Sequence, residues 1–214
     1  MKKKFLLWLI ETRFWRWLLI SIVPFIRFTT YYTSLRGETY HAGYKFLLPG
    51  DYVLAVDKRK ATSLLVPGLM THAALCLNLR AKKDACEIAE MTHNDFTRSD
   101  FFDICKEADR VLIMRCLDWD EDYINRVIKR CWELQNSKYD VAFSLGIAAL
   151  YCSELVYQSD LENRLKVSLA DIAGLGQPYI SPDGLMFAKN SLCVWDSAEE
   201  FSGLIGSEIK LKLL

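Results

Sequence analysis

The chain has 214 residues, 51% hydrophobic and 25% charged, with 27 Lys and Arg balanced by 27 Asp and Glu. That length fits one main domain with room for an appendage, and the apolar share supports a core without a metal or disulfide staple. Zero net charge excludes a global pull toward nucleic acid. The seven cysteines, at 76, 86, 105, 116, 131, 152 and 193, form no C-x-x-C pair, which speaks for reduced, buried thiols and against a disulfide framework or structural zinc.

The opening stretch MKKKFLLWLIETRFWRWLLISIVPFIRF carries three of the six tryptophans, Trp8, Trp15 and Trp17. Three lysines before an apolar run resemble a signal peptide, but Glu11, Arg13 and Arg16 interrupt the run and no small-residue cleavage site follows. The unbroken apolar stretches are about half of the roughly 20 residues that a spanning helix needs, and Pro24 should end or kink the helix. An amphipathic helix lying in a membrane interface suits these residues, with tryptophans at headgroup level and cations meeting lipid phosphates. The competing reading is a helix packed on the domain's own core. The expected division is a membrane-associating segment over 1–30 and a folded domain over 31–214, with the protein at a membrane surface facing the cytoplasm.

After a tyrosine-rich connector, FLLPGDYVLAV reads as a turn and a short buried strand. THAALCLNL (71–79) and DACEIAEM (84–91) both alternate around the charged turn RAKK, which predicts a β-hairpin. SDFFDICKEAD (99–109) reads as a short helix with Ser99 as N-cap, and RVLIMRC as a third strand. DWDEDYINRVIKRCWELQN (118–136) opens with acids and places apolar residues at 123, 124, 127, 128, 131 and 134, the pattern of an amphipathic helix. YDVAFSLGIAALY leads into CSELVYQSDL, where helical spacing resumes; the tail holds another short helix and turn-rich loops. Helices and antiparallel strands segregated along the chain predict the α+β class.

Cys152 begins that last helical stretch, where the macrodipole and unpaired backbone N–H groups favour a thiolate. A nucleophile needs a base and an orienting group for the base. The chain offers His41, His72 and His93, and His72 opens an alternating strand, a rigid place for a catalytic ring. With the hairpin turn centred near residue 81, positions 72 and 90 face each other, which sets Glu90 beside His72 on one face. The same register faces Cys76 with Cys86, read as packing. Each residue also has an ordinary reading: a core cysteine, a satisfied edge histidine, a solvated glutamate.

The ordered segments LLPGDYVL, THAALCL, EIAEM, YDVAF and YCSELVY resemble the circularly permuted, NlpC-like branch of the papain-like cysteine hydrolases, the YiiX-like group. The resemblance covers roughly residues 45 to 195, and it implies a permuted papain-like catalytic domain in which an antiparallel sheet packs against helices. His72 precedes Cys152, as the permutation requires. The resemblance implies Cys152 as nucleophile, His72 as base and Glu90 as the orienting group, with Tyr139 and Tyr151 near the substrate and no metal or other cofactor. The glycines common after the glutamate strand are replaced here by MTHNDF. The implied activity is hydrolysis of an amide or ester in a peptide or lipid/acyl substrate through a thioester. Acyl transfer on lipids, a catalytically silent membrane-attached binding module and a redox-sensing thiol are the competing readings.

Overall fold

In the computed structural model, residues 12–28, 35, 37–59, 66, 68–80, 85–171 and 177–213 are described. Arg13–Ser21 forms a helix, α1, followed by a 3-10 turn at Val23–Phe25 that contains Pro24. Proline has no N–H to extend the helical ladder, so α1 stops just before it. No residue of α1 is buried. Residues 1–11, with Trp8, lie outside the described residues, so the helix expected over 1–30 is seen only from Arg13 on. Among the described residues no helix is long and apolar enough to cross a membrane. A second helix, α2, spans Gly37–Tyr44.

The domain is built on a six-stranded antiparallel sheet. Its strands are β1 (Tyr52–Val56), β2 (His72–Arg80), β3 (Ala85–Thr92), β4 (Asp95–Ser99), β5 (Arg110–Cys116) and, after four two-residue strands, β10 (Ser191–Asp196). The short strands are β6 (Lys138–Tyr139), β7 (Ala149–Leu150), β8 (Ala170–Asp171) and β9 (Pro178–Tyr179). The spatial order of the large sheet is β10-β5-β1-β2-β3-β4. Central β1 is buried at all five positions, as a strand covered on both faces must be. The turn before it depends on Gly50, whose φ is +86°; a Cβ there would lie 2.8 Å from Ile124. Asp51 closes that turn by accepting from Leu48 N–H at 2.8 Å and takes Arg115 Nε at 2.7 Å.

Alternation splits the sheet's side chains between two cores. Tyr52, Leu54, Leu75, Ala89, Leu112 and Met114 face one side. There they meet α4 (Glu121–Glu133) through Tyr123, Val127 and Cys131, and α5 (Cys152–Ser159) through Leu155 and Val156. Val53, Ala74, Cys76, Ile88 and Ile113 face the other side. They meet Phe101, Ile104 and Cys105 of α3 (Phe101–Glu107), with Tyr40 and Tyr44 of α2 packed alongside. Two further short helices, α6 (Pro182–Met186) and α7 (Gly206–Lys212), close the chain. The α+β class with an antiparallel sheet against helices is the architecture observed.

Three local expectations are corrected. The β2–β3 register pairs Ala74 with Glu90 and Cys76 with Ile88, not His72 with Glu90 or Cys76 with Cys86; Cys86 faces Leu79. The pairing is centred beyond residue 81 and shifts again at an irregularity between Cys76 and Asn78. The N-cap of α3 is Asp100, not Ser99: its carboxylate accepts from Phe102 N–H and it forms a reciprocal capping box with Asp103. Besides the four two-residue strands, two strands of the large sheet are not evident from the sequence pattern. MTHNDF is the tight turn of a β3–β4 hairpin, with Asp95 at φ +67°, and NSLCVWD forms edge strand β10. The half-exposed, polar DFTRS of β4 carries almost no apolar periodicity, which is why alternation does not reveal it.

Candidate active site

The ends of β1 and β3 and the start of β2 lie together, because neighbouring antiparallel strands run in opposite directions. A cleft of about 330 Å³ opens at that end of the sheet, lined by Val56, His72, Glu90, Tyr139, Phe143 and Cys152 among others. His72 is the first residue of β2 and Cys152 the first of α5. Strand start and helix start thus meet at one place, although 80 positions separate them in the sequence.

The real register stands two residues away from the expected one, and a two-residue offset preserves the face in a strand. His72 and Glu90 therefore sit diagonally on the same face, within reach of long side chains. His72 Nε2–H donates to Glu90 Oε2 at 2.6 Å. The remaining ring nitrogen, Nδ1, is left free of Glu90, and Cys152 lines the same cleft. Glu90 is held in turn by Ser99, whose hydroxyl donates to Oε1 at 2.5 Å. Ser99 is a residue that sequence reasoning misses, because its place at the head of SDFFDICKEAD marks it as a helix cap. The signal that could have found it is the hairpin turn in MTHNDF, which lays β4 beside β3 and brings Ser99 to the Glu90 face.

Burial opposes charge on both members of the Cys152–His72 pair, yet their mutual interaction prevails. The Cys152 thiol is desolvated, which alone would raise its pKa. The hydrogen bond and positive charge of His72, with the backbone N–H groups of Ala73 and Ser153, bring it below its ordinary value. Desolvation likewise works against the imidazolium, but hydrogen bonds and charges from Cys152 and Glu90 raise His72 to about 10. The pair thus favours transfer of the thiol proton toward the imidazole. The other described cysteines are buried, and burial pushes Cys116, Cys131 and Cys193 up to about 12. The direction of its pKa shift separates Cys152 from these thiols, not exposure.

The two tyrosines have different places. Tyr139 lines the cleft. Tyr151 caps α5 with its ring 1% exposed, and its hydroxyl accepts from Ile180 N–H at 2.7 Å. The structure places Tyr151 behind the cleft wall, against Phe143 at 5.1 Å between ring centroids. That wall is organised by the YD pair. Asp140 accepts from Ala142 N–H at 2.8 Å and Ser144 N–H at 2.6 Å, and Phe143 between them adopts φ +54°. Asp95 fastens the preceding residues, bonding Tyr139 N–H at 3.0 Å and Lys138 Nζ at 2.7 Å. Glu154, fully buried one turn into α5, accepts from Gly146 N–H at 2.7 Å and holds the far end of the same loop. Among the described residues no group of three His, Cys, Asp or Glu side chains is placed to hold a metal ion.

Comparison with known proteins gives two matches. The family model described as "Permuted papain-like amidase enzyme, YaeF/YiiX, C92 family" matches residues 47–203. A crystal structure titled for the metalloprotein yiiX from Escherichia coli O157:H7 aligns with a TM-score of 0.58 at 15% identity. That alignment covers 69% of this chain and 96% of the other, a likeness of fold. A search of the curated proteins found no match.

Proposed function

Because the chain belongs to the permuted papain-like amidase enzymes of the YaeF/YiiX, C92 family, we propose that it hydrolyses an acyl amide or ester with Cys152 as nucleophile. His72 is the general acid and base, and Glu90 the group that orients and charges the ring. The observation that carries this reading is that His72, Glu90 and Cys152 line one cleft, with Ser99 bonded to Glu90 and Glu90 to His72, the thiol brought below and the imidazole above their ordinary values.

The Cys152 thiolate attacks the carbonyl carbon, and the electron pair moves to the carbonyl oxygen. Backbone N–H groups at the start of α5, that of Cys152 among them, receive that oxyanion in this reading. His72 gives its proton to the leaving amine or alcohol as the tetrahedral species collapses to a thioester. The neutral ring then takes a proton from water, hydroxide adds to the thioester, and the thiolate leaves paired again with imidazolium. Tyr139 and Phe143 form the wall along which the substrate lies. We further propose that residues 1–30 rest on a membrane surface, supported by the exposure of Phe14, Trp17 and Phe25 together with the cations of the segment.

Iodoacetamide competition tests the nucleophile. Near neutral pH, mass spectrometry should find Cys152 alkylated ahead of the other thiols, and a slow Cys152 would end the assignment. Cys152→Ala and His72→Ala should each lose nearly all turnover in a screen of acyl amides, peptides and lysophospholipids while keeping the wild-type circular dichroism spectrum.

A further inference from the structure

The N-terminal segment reaches the cleft. Leu19 of α1 and Pro24 of the turn after it line the same cavity as His72, Glu90 and Cys152. Several contacts tie the segment to the domain there. Phe28 N–H donates to the Arg59 carbonyl at 2.9 Å, Arg27 Nη2 lies 3.5 Å from Glu107 Oε1, and Phe25 meets the ring of His93 edge-on at 5.4 Å. The sides of α1 differ in exposure. Trp15, Leu18 and Leu19, related by helical spacing, are half-buried, whereas Phe14 and Trp17 are 62% and 54% exposed.

A helix that contributes no buried residue adds little to the core, so its stability return is small. What it does contribute is apolar lining to the cavity that also holds the thiol. In that cavity Leu19 and Pro24 join Val56, Ile104 and Phe143, all apolar. A volume of about 330 Å³ is that of a pocket for a small molecule. We propose that Leu19 of α1 and Pro24 of the turn after it belong to the substrate-binding machinery, as specificity-determining residues for the unbranched apolar part of the acyl group cleaved at Cys152. The kind of ligand rests on the function proposed above, whereas its binding does not need a reactive thiol.

The test uses the full chain carrying Cys152→Ala, which binds without turnover, and unbranched primary amides from butanamide to octanamide in a calorimetric titration. Affinity should rise with each methylene toward about fourfold, the value for full burial. Adding Leu19→Asp should weaken octanamide about tenfold and butanamide less than twofold. Leu19→Trp, which fills the same wall without charge, should stop the gain beyond hexanamide. Phe14→Asp, on the exposed side of α1, should leave the series as it was. Thermal melts check that each variant is folded. A series unchanged by both Leu19 substitutions overturns the proposal. So does tighter binding of N-acetyl-leucinamide than of octanamide, which would make the occupant a peptide side chain. Failure of Cys152 to react first with iodoacetamide would refute the nucleophile assignment separately, because the titration contains no reactive thiol at that position.

Discussion

Glu90→Gln removes a negative charge while keeping the side chain's shape, so it isolates what the carboxylate does for His72. The carboxylate oxygen lies 2.6 Å from Nε2 in a half-buried setting, with the two side chains 29% and 13% exposed. A neighbouring opposite charge shifts a pKa by roughly 1–3 units, or about 1.4–4 kcal/mol of preference for the charged ring. Its loss should bring His72 down from about 10 by that amount. The imidazolium is needed to protonate the leaving group, so activity is present below the His72 pKa and is lost as pH rises through it. The basic limb of single-turnover amide hydrolysis should therefore move to lower pH by roughly 1–3 units in the variant. With a shift of about two units, the imidazolium remaining at pH 9 falls roughly tenfold relative to wild type. The His72 ring proton resonances, followed through a pH titration, should report the same displacement. Activity near pH 7 should persist at a reduced level, since an amide can hold the ring without charging it. A basic limb and ring titration unchanged in Glu90→Gln would mean that another group holds the proton on His72, and the role given to Glu90 would be refuted.

Ser99→Ala should move the same basic limb in the same direction by less than about one unit, because a single hydrogen bond to the charged carboxylate is lost; an unmoved limb would reduce Ser99 to packing. Glu154→Gln should gain stability as pH rises. Burial pushes Glu154 up to about 7 from 4.5, partly countered by Gly146 N–H and Gln158. The carboxyl thus favours folding fully below its unfolded value and less as pH rises through the folded one. Urea denaturation should show a gain of roughly 3 kcal/mol at pH 8 and under about 1 kcal/mol at pH 5; equal stability at both would mean that the carboxyl titrates normally. The full chain should sediment with anionic liposomes and less so at high salt, and indifference to liposomes would remove the support for a membrane surface.

The alternating period of THAALCLNL and DACEIAEM, the helical spacing after Cys152 and the turn at Gly50 were legible before any coordinates, because each is a preference of the local backbone. So was the shared face of His72 and Glu90, which survives a two-residue error in register since side chains alternate with period two. The register itself was not legible: the irregularity between Cys76 and Asn78 and the length of the connection set it, and neither leaves an apolar pattern. Ser99 was misassigned to a helix cap because its partner is Glu90 on a neighbouring strand, while Asp100 takes the cap. Tyr151 looked like a site residue from its place beside Cys152, yet at the helix start consecutive side chains diverge, and only packing sends its ring into the core. The place of Leu19 and Pro24 in the cleft of His72 and Cys152, and the lowering of the Cys152 pKa, belong wholly to the tertiary structure. Both depend on segments far apart in the chain being brought together, and the pKa also on the desolvation and charge met there, which no local preference encodes.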